Sequence, residues 1–257
     1  MLRIIYVAVA FLTLTAILIP VQWLAVRFRW RLRRAIPVFF HRTVCKLLGV
    51  RITVGGRRAD AKQLLIAANH SSWLDIPVLT TLAPMVFVAK REVSTWPLFG
   101  LLARLQRTVF VDRERRAKVA DTADEMAARL AEGDPVVLFA EGTSNDGNRV
   151  LPFRSSLIGA AHAAMRSGGG TVTVQPLALV YTHLSGLPTG RIDRPRVAWY
   201  GDMDLLPHLG GIVRTGAVDA TIVWGTPIEV GPDTDRKVLT IRLENDVRRL
   251  AAEARRA

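Results

Sequence analysis

Leu64-Leu65-Ile66-Ala67-Ala68 runs without one polar side chain and breaks at once into Asn69-His70-Ser71-Ser72-Trp73-Leu74-Asp75-Ile76-Pro77. Five consecutive apolar residues predict a strand buried on both faces. Ser72 and Asp75 then stand at the S-x-x-D spacing of a capping box, which predicts a helix over 72–82. A buried strand passing through a short polar turn into a helix is the repeating unit of an α/β fold. His70 therefore sits at a strand's carboxyl end, where open α/β sheets hold ligand and catalytic groups.

The pattern repeats outward from this unit. Strands are expected over 51–54, 85–89, 108–111, 136–139, 171–181, 196–200 and 220–224. Helices are expected over 35–48, 98–105, 114–130, 156–166 and 235–255. Gly49 ends the first of these helices, and Gly168-Gly169-Gly170 reads as a helix-ending loop. In the last helix Leu239, Leu243, Val247, Leu250 and Ala254 form one apolar stripe. The alternation predicts an α/β fold with a mostly parallel central sheet flanked by helices.

Charge is distributed unevenly along the 257 residues. Residues 1–60 hold eleven Arg or Lys against Asp60 alone, while the remainder carries 24 basic and 21 acidic residues. The basic excess belongs to the N-terminal segment, not to the body. Between Arg3 and Arg27 no residue is charged. At ~1.5 Å per residue a helix over that run is ~34 Å long, enough to cross a hydrocarbon core. Arg27, Arg29, Arg31, Arg33 and Arg34 follow immediately, as at a cytoplasmic flank facing anionic headgroups. Pro20 introduces a possible kink, so a shallow one-leaflet insertion fits the run as well as a crossing does. Residues 1–34 are thus expected to be a membrane anchor at the inner (cytoplasmic) membrane, and residues 35–257 one domain on its cytoplasmic side. The partner implied is an anionic membrane and no nucleic acid, since no groove-binding motif accompanies the charge. Cys45 is the only cysteine, so no internal disulfide or cysteine metal cluster can form. Thirty arginines against five lysines suggest a GC-rich bacterial genome.

Of five histidines only His70 has an Asp five residues on. Five residues of regular helix turn ~500°, which separates two side chains. The pair can meet only if His70 precedes the helix and Asp75 lies in its first turn. Asp75 would then accept from one imidazole nitrogen and leave the other as a base. The bland alternative is that Asp75 only caps the helix, and the two readings are compatible.

This segment resembles the H-x4-D signature of the glycerolipid (lysophosphatidic acid) acyltransferases. Three further blocks follow in that family's order: Lys90 ahead of Phe110-Val111-Asp112-Arg113, then Phe139-Ala140-Glu141-Gly142-Thr143, then Val174-Gln175-Pro176-Leu177-Ala178-Leu179. The resemblance covers roughly residues 65–185. It implies a membrane-bound enzyme that moves a fatty acyl group from a thioester of acyl carrier protein or coenzyme A onto a lysolipid hydroxyl. The acyl thioester is a co-substrate, and neither a cofactor nor a metal is implied. His70 and Asp75 would be catalytic, and Lys90, Arg113, Glu141, Gly142 and Thr143 would bind the acceptor. Backbone N–H groups at the start of the Ser72 helix are a candidate oxyanion site.

Two positions depart from the family's pattern. Ser144 stands where an Arg usually helps hold a phosphate, and Arg107 stands where a Gly opens the second block. Losing an arginine at a phosphate site removes a charge-assisted contact. The stretches 141–151 and 199–203 look more like the lyso-ornithine lipid acyltransferase branch, whose acceptor is a hydroxyl on an acyl chain carried by an amino-acid headgroup. A lysophosphatidate acceptor is the alternative, and a non-catalytic lipid-binding adaptor a second. A serine hydrolase is disfavoured because no G-x-S-x-G is present. Nucleotide chemistry is disfavoured because neither G-x-G-x-x-G nor G-K-[ST] occurs.

Overall fold

The strand over Leu64–Ala68 is buried at every position, and its alternate side chains feed two different cores. Leu65 and Ala67 face one, while Leu64, Ile66 and Ala68 face the other. That two-sided burial is why the segment reads as an unbroken apolar run. The structure is a computed structural model describing residues 1–111, 119–159, 171–231 and 233–256.

Its strands are β1 (Val50–Gly55), β2 (Leu64–Ala68), β3 (Val86–Lys90), β4 (Val109–Val111), β5 (Val136–Phe139), β6 (Val172–Leu184), β7 (Leu187–Pro188), β8 (Val218–Trp224) and β9 (Ile228–Val230). Its helices are α1 (Leu2–Arg27), α2 (Leu32–Leu48), α3 (Asp75–Thr80), α4 (Phe99–Leu105), α5 (Val119–Ala131), α6 (Leu205–Thr215) and α7 (Arg236–Ala254). All strands join one sheet in the order β1-β8-β6-β2-β5-β3-β4, with β7 and β9 pairing along β6. The block β6-β2-β5-β3-β4 is parallel throughout. β8 and β9 run antiparallel to β6. The carboxyl ends of β2, β3, β4 and β5 consequently share one edge of the sheet.

Pro176 lies inside β6, which a central strand normally forbids. Here β9 pairs as far as Val174 and β8 begins pairing at Leu177. The proline occupies the gap between these two ladders, where no neighbouring strand requires its missing N–H.

One face of the sheet packs against α5 and α7, through residues such as Met126, Leu130, Leu243 and Val247. The other packs against α2, α3 and α6, through residues such as Val44, Leu79 and Val213. α1 is continuous across Pro20 and is long and apolar enough to cross a membrane. It nevertheless touches the body near both ends. Arg3 donates to Leu48 O at 3.1 Å, and Gln22 Nε2 donates to Leu105 O at 2.8 Å and to Arg33 O at 3.1 Å. Between these points Phe11 packs on Phe40.

Two expectations need correction, and one helix was not foreseen. The strand expected over 196–200 is a 3-10 turn at Arg194–Arg196 followed by irregular chain. Val197 and Ala198 are buried, but their amides close turns onto Arg194 O, and Trp199 N bonds to Ser71 O. Burial without a ladder imitates a short strand in sequence. The helix expected over 72–82 is only α3, because residues 72–74 form the turn before it. α6 was not expected, since Pro207 and the pair Gly210-Gly211 weaken its helical signal. Residues 112–118 and 160–170 lie outside the described residues, so the start of the expected 114–130 helix, most of the 156–166 helix and the triglycine loop are not described.

Arg107 follows α4 with φ 65°, the left-handed backbone that favours glycine. Its buried guanidinium contacts Asp134 and pairs with Glu132 at 2.6 Å. Arg33 pairs with the same Glu132 at 2.9 Å and Arg34 with Asp134 at 2.6 Å. These pairs fasten α2 and the end of α4 to the loop between α5 and β5.

Candidate active site

The turn after β2 is held at every residue. Asn69 continues the strand with its side chain: Nδ2 donates to Leu179 O at 2.8 Å, and Oδ1 accepts from Leu179 N at 2.9 Å. His70 N donates to Glu141 Oε1 at 3.1 Å, and His70 O accepts from Asn145 Nδ2 at 3.1 Å. The amides of Ser71 and Ser72 donate to Asp75 Oδ2 at 2.8 and 3.1 Å. The Ser72 contact is the carboxylate half of the capping box that the S-x-x-D spacing forecast.

Asp75 is fully buried at the first residue of α3, and its Oδ2 also meets His70 Nδ1 at 2.7 Å. Its other oxygen accepts from the Tyr181 hydroxyl at 2.7 Å. Four donors thus surround one carboxylate, which keeps a buried negative charge tolerable. Burial pushes the Tyr181 phenol well above its usual range, helped by the charge of Asp75, so this hydroxyl stays a donor. The His70 ring stacks on Phe139, with centroids 4.0 Å apart and planes 14° apart. Its side chain retains 19% exposure. With Nδ1 engaged by a carboxylate, the tautomer carrying its proton there leaves Nε2 a lone pair. Such an imidazole can remove a proton from a hydroxyl.

Glu141 follows β5 on the neighbouring strand and is 2% exposed. Its Oε2 accepts from Asn145 Nδ2 at 2.6 Å. Burial raises its carboxyl to about 7 against the pull of the N–H groups of His70 and Asn145. The observed contacts make Glu141 an internal strut beneath His70. Gly142 has φ 73°, and a Cβ there would meet Arg154 Cδ at 2.8 Å. Thr143 is exposed beside it, and Lys90 is exposed at the end of β3. Arg113 lies outside the described residues.

Of the amides at the start of the expected Ser72 helix, that of Ser72 is already taken by Asp75 Oδ2 at 3.1 Å, so it is not free to hold an oxyanion. Sequence reasoning also missed Tyr181, Asn145 and the side-chain role of Asn69. Tyr181 left one usable signal: a tyrosine on a buried strand face needs a partner for its hydroxyl. Among the described residues no group of three or more His, Cys, Asp or Glu is placed to hold a metal.

A family model described as Acyltransferase matches residues 51–180. The chain is 49% identical to a lyso-ornithine lipid O-acyltransferase of Brucella abortus (strain 2308), over 98% of this chain and 95% of that one. It is 44% identical to a lyso-ornithine lipid O-acyltransferase of Rhizobium meliloti (strain 1021), over 92% and 82%. A 1-acyl-sn-glycerol-3-phosphate acyltransferase of Neisseria gonorrhoeae is 28% identical over 74% and 70%. The crystal structure of the 1-acyl-sn-glycerophosphate acyltransferase from Thermotoga maritima superposes with a TM-score of 0.59 at 22% identity. It covers 85% of this chain and 78% of that one, a likeness of fold.

Proposed function

The chain belongs to the acyltransferase family, and from that premise we propose that it moves a fatty acyl group from a thioester to the hydroxyl of lyso-ornithine lipid. The observation that carries the chemistry is the 2.7 Å contact of His70 Nδ1 with the buried Asp75. His70 Nε2 takes the proton of the acceptor hydroxyl as its oxygen attacks the thioester carbonyl. The tetrahedral intermediate then collapses, the carbon–sulfur bond breaks, and the imidazolium returns the proton to the leaving thiolate. General-base help of this kind is worth roughly 10²–10⁴-fold. Asp75 fixes the tautomer and stabilises the imidazolium. The donor is a thioester of acyl carrier protein or of coenzyme A.

Lys90 and Arg113 receive the anionic part of the acceptor's headgroup, with Gly142 and Thr143 at its side and Glu141 holding His70 from beneath. Two observations favour an amino-acid headgroup over a phosphate. Ser144 replaces the arginine expected at a phosphate site, and the relatives at 49% and 44% identity carry the lyso-ornithine name. Hydrocarbon has a place nearby. An apolar cleft of about 350 Å³ is bounded by Val7, Phe11, Leu47, Trp73, Phe99 and Leu209, and Trp73 is three residues from His70.

Residues 1–34 anchor the enzyme to the cytoplasmic face of the inner membrane. The contacts of α1 with the body near both ends support a placement along one leaflet over a crossing. Tyr6, Val9, Leu12, Ile17 and Trp23 on its exposed side meet the lipid.

The test presents membranes containing this protein with labelled acyl thioester and two acceptors side by side, lyso-ornithine lipid and lysophosphatidate. Transfer to the ornithine acceptor is the expected result. Transfer to lysophosphatidate alone would keep the chemistry and overturn the acceptor.

A further inference from the structure

Six arginines converge on a cleft of about 560 Å³ beside β4, at the edge of the sheet. Arg29, Arg33, Arg91, Arg104, Arg107 and Arg129 line it, against two acids, Glu125 and Glu132. Both acids are already engaged. Glu125 pairs with Arg129 at 3.1 Å, and Glu132 holds Arg33 and Arg107 at once. Asp134 also holds Arg107, and among the described residues the ion pairs leave Arg29 and Arg104 of this cleft without an acid. Burial and the neighbouring Arg107 lower the pKa of Arg33 despite its own ion pair. Arg104 keeps its place by donating to Ser94 O at 2.9 Å.

We infer that this cleft holds the phosphodiester of an anionic membrane phospholipid. Guanidinium groups present planar donor forks that match phosphate oxygens. The location selects a lipid as their source. The cleft opens beside Val26 and Arg29, at the turn joining α1 to α2. On that turn Phe28 and Trp30 stack 5.9 Å apart and remain 57% and 47% exposed. Exposed aromatics beside arginines, at the end of a long apolar helix, are the composition found at headgroup depth. The inference rests on the one-leaflet placement of α1 given above. Its consequence is that anionic lipid seats the enzyme through a defined pocket, and not through diffuse charge alone.

The experiment is flotation of the full chain with two kinds of vesicle, pure phosphatidylcholine and phosphatidylcholine doped with phosphatidylglycerol. Wild type is compared with an Arg29→Gln/Arg104→Gln variant and with a charge-matched Arg57→Gln/Arg58→Gln control, whose exposed side chains follow β1 at the other edge of the sheet. At roughly fivefold per arginine at an anionic surface, the cleft variant is expected to lose about 10–30-fold of the phosphatidylglycerol-dependent increment. The control is expected to lose much less, and all three proteins should still float with neutral vesicles. Failure of wild type to float with neutral vesicles would overturn the placement of α1. Equal losses in variant and control, with neutral flotation intact, would overturn the cleft alone. Unaltered flotation of the cleft variant, with turnover lost only for carrier-protein donors, would assign the cleft to the donor instead. Thermal stabilisation of wild type by soluble glycerol phosphate, without any vesicle increment, would replace the lipid with a free phosphate.

Discussion

Tyr181, 106 residues from Asp75 in the chain, donates its hydroxyl to the carboxylate oxygen that His70 leaves free, at 2.7 Å. This contact ties β6 to the first residue of α3 and fixes the orientation of the group that orients His70. Replacing Tyr181 with Phe leaves one buried oxygen of Asp75 with one donor fewer, at about 1–3 kcal/mol of stability. Turnover is expected to fall roughly tenfold, equivalent to ~1.4 kcal/mol, with the KM of each substrate little changed. Steady-state kinetics over a pH series check this. Unaltered turnover would show that Tyr181 serves only packing.

Asp75→Asn tests the charge itself. The amide keeps an oxygen for the Ser71 and Ser72 amides but supplies no negative charge to an imidazolium. By analogy with other carboxylate–histidine pairs, turnover should fall by roughly 10³–10⁴. Circular dichroism establishes whether the fold survives, so that lost chemistry and lost structure are read separately.

Glu141 makes stability depend on pH. Its folded carboxyl titrates near about 7, above the ordinary 4.5, because burial disfavours the charged form. The folded state therefore holds the proton more tightly than the unfolded chain. The resulting stabilisation is fully present below about 4.5 and is lost as pH rises through about 7. A shift of this size corresponds to ~3 kcal/mol. Urea denaturation between these limits should show stability falling with pH, and Glu141→Gln should flatten that slope. The variant should also lose activity, because its amide nitrogen meets the donor on Asn145 and unseats the loop at His70.

Arg107→Gly restores the residue that a left-handed backbone favours. The gain of about 1–2 kcal/mol from relieving a left-handed L residue is outweighed by leaving buried Asp134 and part-buried Glu132 short of a cation, an effect of about 3–5 kcal/mol for a broken buried pair. The neighbouring Arg33 and Arg34 temper that loss. A net drop in thermal stability is expected, with acceptor preference unaltered.

Local rules in the sequence carried the parallel block and the His70–Asp75 turn. β2 is apolar at every position because both its faces are covered, and the S-x-x-D spacing forces Asp75 back toward the chain before it. What stayed hidden depends on distant partners. Nothing near Tyr181 identifies Asp75 as its acceptor, and nothing near Asn69 shows that its amide pairs with Leu179. The engagement of the Ser72 amide stayed hidden for a related reason. Counting amides at a helix start does not reveal that Asp75 folds back onto the first of them. Residues 196–200 misled because a buried loop and a short strand share the same apolar composition.

The most direct measurement compares wild type with His70→Ala for acyl transfer from a labelled thioester to lyso-ornithine lipid, with both proteins membrane-embedded and matched in melting temperature. The expected result is a fall in turnover of roughly 10²–10⁴, with lipid binding retained. Turnover within a few-fold of wild type in the folded variant would contradict the assignment of His70 as the base.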